Sequence, residues 1–374
     1  RHCNMRRRIL TSAAALAMAI IPLSKSYSQD RADRQSLDDP RSFSMILLGD
    51  PQGYIKYDLN QPLFELCTAW CADNRDNLNI KAVLCTGDLV EQNENFDLDP
   101  KMLNQNSEQM WKNVSRSFER LDGVLPYIIC PGNHDYGWKK SENTLTHFPE
   151  YFPVERNKCW EKCLVSRCRS RNGIFSLENA AFEFDLPNWG KILVITTEHG
   201  PCDYVLNWAR RLIYSDRFKD DKVIFMTHNY LKEKSADFVE KMNYKLKPSN
   251  SGLQIWEKLI KDSKNIILTI CGHTGVPAKD TFKGEPDDWS LSCAYRCDKN
   301  PEGHKIHQMM FNVQVLGGGW EGNGGDGWLR ILEFKPDGKT ISVRTYSPLF
   351  GISHMTKHLA HRTGACDQFD MVVE

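Results

Sequence analysis

The sequence predicts an α/β protein built around a parallel sheet. Three observations point there. Short, continuous apolar runs alternate with segments of helical period. Each run ends in a polar loop, as buried parallel strands do. Those loops hold Asp, Asn and His, at the strand ends where open α/β sheets bind ligands.

The elements follow in order. Phe43 to Leu48 reads as a buried strand ended by Gly49-Asp50-Pro51. Leu63, Leu66, Cys67 and Trp70 give Pro62 to Asn74 a helical period. Ile80 to Cys85 is a second strand, closed by Thr86-Gly87-Asp88. A helix is expected over Ser107 to Leu121, then a strand over Tyr127 to Cys130 before Pro131-Gly132-Asn133-His134. After an insertion near 138–172, strand-like runs are expected at Ile174 to Leu177, Ala181 to Leu186 and Ile192 to Thr197. Val205 to Ile213 is helical, Lys222 to Met226 a strand ending at Thr227-His228, and Leu253 to Lys261 helical. Ile266 to Ile270 is a strand before Cys271-Gly272-His273. The last third is mostly strand: Ile306 to Val315, Trp328 to Phe334 and Thr340 to Tyr346, with Pro336-Asp337-Gly338 turning a hairpin. The Gly-rich stretch Gly317 to Gly327 reads as a connector or a phosphate cradle.

The 374 residues, 41% of them hydrophobic, suffice for one large core or two modest ones. Lys plus Arg and Asp plus Glu number 48 each, so no overall charge favours nucleic acid as a partner. Arg6-Arg7-Arg8, the apolar run Leu10 to Ile21 and the small-polar stretch Ser24 to Ser28 describe a secretory signal peptide cut near Ser28. The arginine run also resembles a twin-arginine signal. Residues 1–4 precede the first methionine and need not be translated. The apolar run is shorter than the ~20 residues a membrane span needs, so an exported protein without a membrane span is expected.

Thirteen cysteines suit an oxidising compartment. Cys85, Cys130 and Cys271 sit in apolar runs and read as small core residues. Cys67 and Cys71 share a helix face, a poor geometry for bonding each other. Cys159, Cys163 and Cys168, with Cys293 and Cys297, read as disulfide staples of surface segments or, more sharply, as a zinc site. The spacing does not decide the pairing.

Five polar clusters each follow an apolar strand: Asp50 with Gln52, Asp88, Asn133-His134-Asp135, His228, and His273. One alone would be a helix cap or a structural histidine. Five in succession are delivered by parallel strands to one sheet edge, where carboxylates, carboxamides and imidazoles make a donor set suited to Mn, Fe or Zn.

Gly49-Asp50-Pro51-Gln52, Gly87-Asp88, Gly132-Asn133-His134-Asp135, Thr227-His228 and Gly272-His273 together resemble the ordered motifs of calcineurin-like metallophosphoesterases, over roughly Phe43 to Tyr346. Glu198-His199-Gly200-Pro201, Tyr230-Leu231 and Gly325-Asp326-Gly327-Trp328-Leu329-Arg330 are similar to an uncharacterised exported bacterial branch of that superfamily. The resemblance implies a four-layer sandwich, two mixed β-sheets flanked by helices. With the signal peptide over 1–28 and a polar linker over 29–42, it implies a phosphoesterase domain over 43–350 with its cysteine-bearing insertion near 138–172, and leaves a tail over 351–374. It further implies two divalent metal ions (Mn, Fe or Zn) bridged by Asp88. Asn133, His228 and His273 would complete one site, with Asp50 and Gln52 on the other. Such a pair can generate hydroxide at neutral pH for in-line attack on a phosphate mono- or diester. His134 would protonate the leaving oxygen, with Asp135 either orienting its imidazole or serving as a helix-start carboxylate.

Two departures stand out. Gln52 occupies a usual His position, and Gly275 replaces the second His of Gly-His-x-His, so one site loses imidazoles at both ends. His307 is a speculative substitute. Glu91, where purple acid phosphatases carry a tyrosine, disfavours their iron chemistry. The rival expectation is a metal- or phosphate-binding protein that lost catalysis. Other polar residues take plainer readings: His354, His358 and His361 as a solvated helix face, Lys139-Lys140, Arg167, Arg169 and Arg171 as charged surface, and Trp138 and Trp320 as packing. Monoesterase against diesterase, and the oligomeric state, are open at this level.

Overall fold

Six consecutive buried residues, Phe43–Leu48, form β1, with an all-apolar or small side-chain content that only a strand covered on both faces tolerates. A computed structural model describes residues 35–99, 101–277 and 292–374; the expected leader over 1–28 lies outside the described residues.

β1 pairs in parallel with β2 (Ile80–Cys85), and β2 with β3 (Tyr127–Ile129). The second sheet opens with β4 (Leu164–Arg167), β5 (Ala180–Leu186), β6 (Gly190–Thr196), β7 (Lys222–Met226) and β8 (Ile266–Cys271). It is completed by β9 (Cys293–Lys299) and β10 (Lys305–Phe311), in the order β4-β5-β6-β7-β8-β10-β9. Its β6, β7, β8 and β10 are mutually parallel. The chain then returns to the first sheet through β11 (Leu329–Phe334), which lies antiparallel to β1, and β12 (Thr340–Tyr346). Both sheets are therefore mixed.

The two-residue period of the strands builds the layers. Ile192 and Val194 of β6, with Ile224 and Met226 of β7, join the core shared with the first sheet. Leu193, Ile195, Val223 and Phe225 point the other way, onto the helix Asp203–Ile213 and the segment Gly252–Ile260. The helices Gln61–Asp73 and Ser107–Glu119 cover the far face of the first sheet through Phe64, Trp70, Trp111 and Phe118. Helix, sheet, sheet, helix is the expected sandwich. The helix at Ser107 starts on a reciprocal capping box, with Asn106 accepting from Gln109 N and the Gln109 side chain accepting from Asn106 N, both at 2.9 Å.

Several expectations change. The expected strand at Ile174 to Leu177 is irregular, with Ile174 and Phe175 about half exposed; the edge strand is β4, ten residues earlier. The insertion near 138–172 is no appendage: Phe148, Phe152 and Trp160 stack with Phe118 and Tyr127 in the first core. Residues 351–374 likewise complete the first sheet, because β13 (His361–Arg362) and β14 (Phe369–Val372) both pair with β12. His354, His358 and His361 consequently share no helix. The Gly-rich stretch folds over the turn beside Gln52, where Gly327 N donates to Tyr54 Oη at 3.0 Å. No disulfide occurs among the described residues, and Cys159, Cys163 and Cys168 are all thiols. No helix among them is long and apolar enough to cross a membrane.

Candidate metal centre

The carboxyl ends of β1, β2 and β3 in one sheet and of β7 and β8 in the other meet at one edge of the sandwich. Asp50, Asp88, Asn133, His228 and His273 all come from those ends. Asp88, His228 and His273 present ligand atoms that lie within 4.8 Å of one another. His228 Nε2 stands 3.1 Å from Asp88 Oδ2, 3.1 Å from Asn133 Oδ1 and 3.2 Å from His273 Nδ1. Its other nitrogen, Nδ1, faces the Thr86 carbonyl at 2.6 Å, which places a proton there and leaves Nε2 bare in the neutral ring.

Local backbone makes the convergence possible. Asp88 and His273 adopt left-handed φ of 50° and 72°, values that non-glycine residues hold where the surroundings impose them. A Cβ added at Gly132 would lie 2.1 Å from Asp88 Oδ1 and 2.6 Å from His228 Cε1, so only glycine lets the β3 loop pass behind both.

Asp50 is fully buried and held by Thr86 Oγ1 at 2.5 Å and by the backbone amide of His273 at 2.9 Å. Gln52, two residues on, is buried, and its side-chain carbonyl oxygen has no hydrogen-bond partner. His134 donates its backbone N–H to Asp88 Oδ1 at 2.8 Å, and its Nδ1 faces the Glu91 carbonyl at 2.6 Å. Asp135 does not touch that ring. Its Oδ1 accepts from Leu89 N and Val90 N at 2.7 and 3.3 Å, and its Oδ2 from Gly132 N at 2.7 Å. The structure thus gives Asp135 the backbone-binding role, and Glu91 the task of holding the imidazole.

His307 is not brought to the centre. It sits in β10 with its ring nitrogens committed to Tyr295 Oη at 2.8 Å and to the Val372 carbonyl at 3.0 Å. Register explains this: His307 pairs with Leu268, well before the strand end that carries His273.

The electrostatics of the cluster call for positive charge. Burial, reinforced by the Asp88 charge, pushes both Asp50 and Asp135 up to about 7. Burial opposes the charge on His228, yet the Asp88 and Asp50 carboxylates outweigh it and raise that imidazole to about 9. Burial, with the His228 charge beside it, drops His273 to about 3. Donor atoms converging on one point, the orphaned Gln52 oxygen and three buried carboxylates fit divalent cations, with the N/O donor character expected for Mn, Fe or Zn.

One neighbour escaped the search for strand-end motifs. His199 is wholly buried with neither ring nitrogen hydrogen-bonded, its ring centre 5.6 Å from that of His228 and 6.1 Å from that of His273. It follows β6, a parallel strand like the others, so the same rule applied to β6 would have found it. Glu198 beside it accepts from Arg171 N at 2.9 Å, which buries Arg171 as a structural residue. Tyr244 packs on both His199 and His273 from an irregular segment that carried no sequence signal.

The calcineurin-like phosphoesterase family model matches residues 43–277. The uncharacterized protein YvnB of Bacillus subtilis (strain 168) is 25% identical over 308 residues, covering 82% of this chain; the chain spans only 20% of that relative's length. Among solved structures, GAP50, the anchor in the inner membrane complex of Plasmodium, aligns with TM-score 0.49 at 10% identity over 89% of both chains. The Haemophilus influenzae NAD nucleotidase NadN aligns with TM-score 0.38 at 11% identity, over 89% of this chain and 50% of its own.

Proposed function

The chain belongs to the calcineurin-like phosphoesterase family, and from that premise we propose that it is a phosphoric ester hydrolase, cleaving a small phosphate mono- or diester at a pair of divalent cations held by the β-strand-end cluster. The observation that carries the reading is the crowding of three lone-pair atoms, from Asp88, Asn133 and His273, around His228 Nε2 within 3.1 to 3.2 Å. Asp88, Asn133, His228 and His273 would hold one cation. Asp50, Gln52 and Asp88 would hold the other, with the Gln52 carbonyl standing in for an imidazole. The bound pair supplies Lewis acidity, activation of water and neutralisation of phosphoryl charge.

The chain's own groups do the rest. His134 Nδ1 is engaged by Glu91, so Nε2 is the nitrogen left to serve a substrate. Burial lowers the affinity of this ring for a proton, but the charges of Asp88 and Glu91 more than restore it, and a charged ring can pass its Nε2 proton to the departing oxygen. Asp135 keeps the loop from Asp88 to Val90 in place through backbone amides. The basic and apolar stretch from Met5 to Ser28 supports export as the setting.

Metal-supplemented hydrolysis of chromogenic mono- and diesters tests the reading, with Asp88→Asn as control. Turnover by the wild type and none by the variant is expected. Silence of the metal-loaded wild type across a broad ester panel would instead favour a binding protein that lost catalysis, the reading that Gln52 and Gly275 invite.

A further inference from the structure

A cavity of about 360 Å³ is walled by Lys140, Ser141, Glu142, Asn243, Tyr244 and Lys245. Two of these walls are tied to residues of the cluster. Ser141 Oγ donates to the Asn133 carbonyl at 3.0 Å, and the Tyr244 hydroxyl lies 3.4 Å from His273 Nε2. Two walls of the cavity therefore adjoin the centre, one at the backbone of Asn133 and the other at the His273 side chain.

Its lining carries two lysines against one carboxylate. Lys140 and Lys245 are exposed, and neither ammonium group enters an ion pair among the described residues. Glu142 is the one carboxylate in the wall, and its Oε2 already accepts the backbone amides of Lys139 and Lys140, both at 2.9 Å. Exposed lysines are ordinary on a protein surface. These two differ in flanking a concave space that adjoins the centre through Ser141 and Tyr244, where the fields of like charges add.

We propose that this cavity receives a second anionic group on the leaving portion of the substrate, so that the preferred substrates are phosphoesters with negative charge at both ends. The proposal rests on the phosphoesterase reading above. A contact between one exposed lysine and an anion is worth only a few-fold in affinity, and two acting together on the order of tenfold. A neutral group of the same shape would gain nothing from either.

4-Carboxyphenyl phosphate and 4-carbamoylphenyl phosphate differ in leaving-group charge and little in size. Their intrinsic reactivities are not identical, so the readout is how the ratio of their kcat/KM values changes between proteins. The carboxylate-to-carboxamide ratio is expected to fall by about tenfold in the double variant Lys140→Met/Lys245→Met, and to shrink in the wild type as salt is added. A ratio that survives the double substitution overturns the proposal. If neither these esters nor the broader panel turns over, the phosphoesterase reading has failed, and the cavity is judged by binding alone. The matched 4-carboxyphenyl and 4-carbamoylphenyl phosphonates, titrated calorimetrically into the metal-loaded protein, should show the same lysine-dependent preference. Equal dissociation constants for the two would refute it.

Discussion

The backbone amide of His273 donates to the Asp50 carboxylate at 2.9 Å, joining the last of the five polar loops to the first. The left-handed φ of 72° at His273 aims that amide while turning the imidazole toward His228. One backbone conformation thus serves both halves of the centre.

Asp88 joins two members of the cluster, His228 through one oxygen and the His134 amide through the other. Asp88→Asn should reduce bound metal, counted by elemental analysis, and cut kcat/KM by several kcal/mol of transition-state stabilisation, on the order of a thousandfold. Full metal content with unchanged rate would remove Asp88 from its assigned place.

His134→Ala should slow turnover by about 10²- to 10⁴-fold for esters with poor leaving groups. The loss should be much smaller for 4-nitrophenyl esters, whose departing oxygen hardly needs a proton. Equal losses on both kinds of ester would argue against proton donation.

Asp135→Ala removes the acceptor for three backbone amides at once, those of Gly132, Leu89 and Val90. Urea denaturation should show a loss of about 3 kcal/mol or more, since buried amides left without a charged acceptor are costly. A variant with native stability and no activity would restore this carboxylate to a catalytic role.

Asp221 is raised to about 6 from 3.8, by burial first and by the neighbouring Glu183 charge second. The folded protein therefore holds this proton more tightly than the unfolded chain. The resulting stabilisation is complete below about pH 4 and disappears as the pH climbs through 6. Asp221→Asn should match the wild type at pH 4 and surpass it at pH 7 in urea midpoint; a gap that does not widen with pH would exclude this titration.

His199→Phe should raise the melting temperature of the metal-free protein. It deletes two buried nitrogens that have no hydrogen-bond partner and retains a ring of similar shape. A lower melting temperature would mean that those nitrogens are satisfied in solution.

Strand ends were the legible part of this chain. Lys222–Met226 matches its apolar run residue for residue, because a strand covered on both faces admits little else, and Thr340–Tyr346 matches through its alternation of apolar and polar residues. Asp50, Asp88, Asn133, His228 and His273 were readable for the same reason, each lying within a few residues of such a run. His307 misled because a residue's place within a strand depends on register with its neighbour, and register is a property of pairing between distant segments. Asp135 could be read two ways until its contacts with Leu89 and Gly132 were known. The closing strands β13 and β14 are only two and four residues long and carry too little apolar content to stand out from a tail.

The first sheet contributes Asp50, Asp88 and Asn133, and the second contributes His228 and His273. Cations seated there would work as rivets between two separately hydrogen-bonded plates, so a chelator should loosen the seam before it melts either plate. Assembly has the same logic in reverse: a nascent chain that has not yet completed β7 would lack one jaw of the clamp and would trap ions only poorly until the later strands arrive.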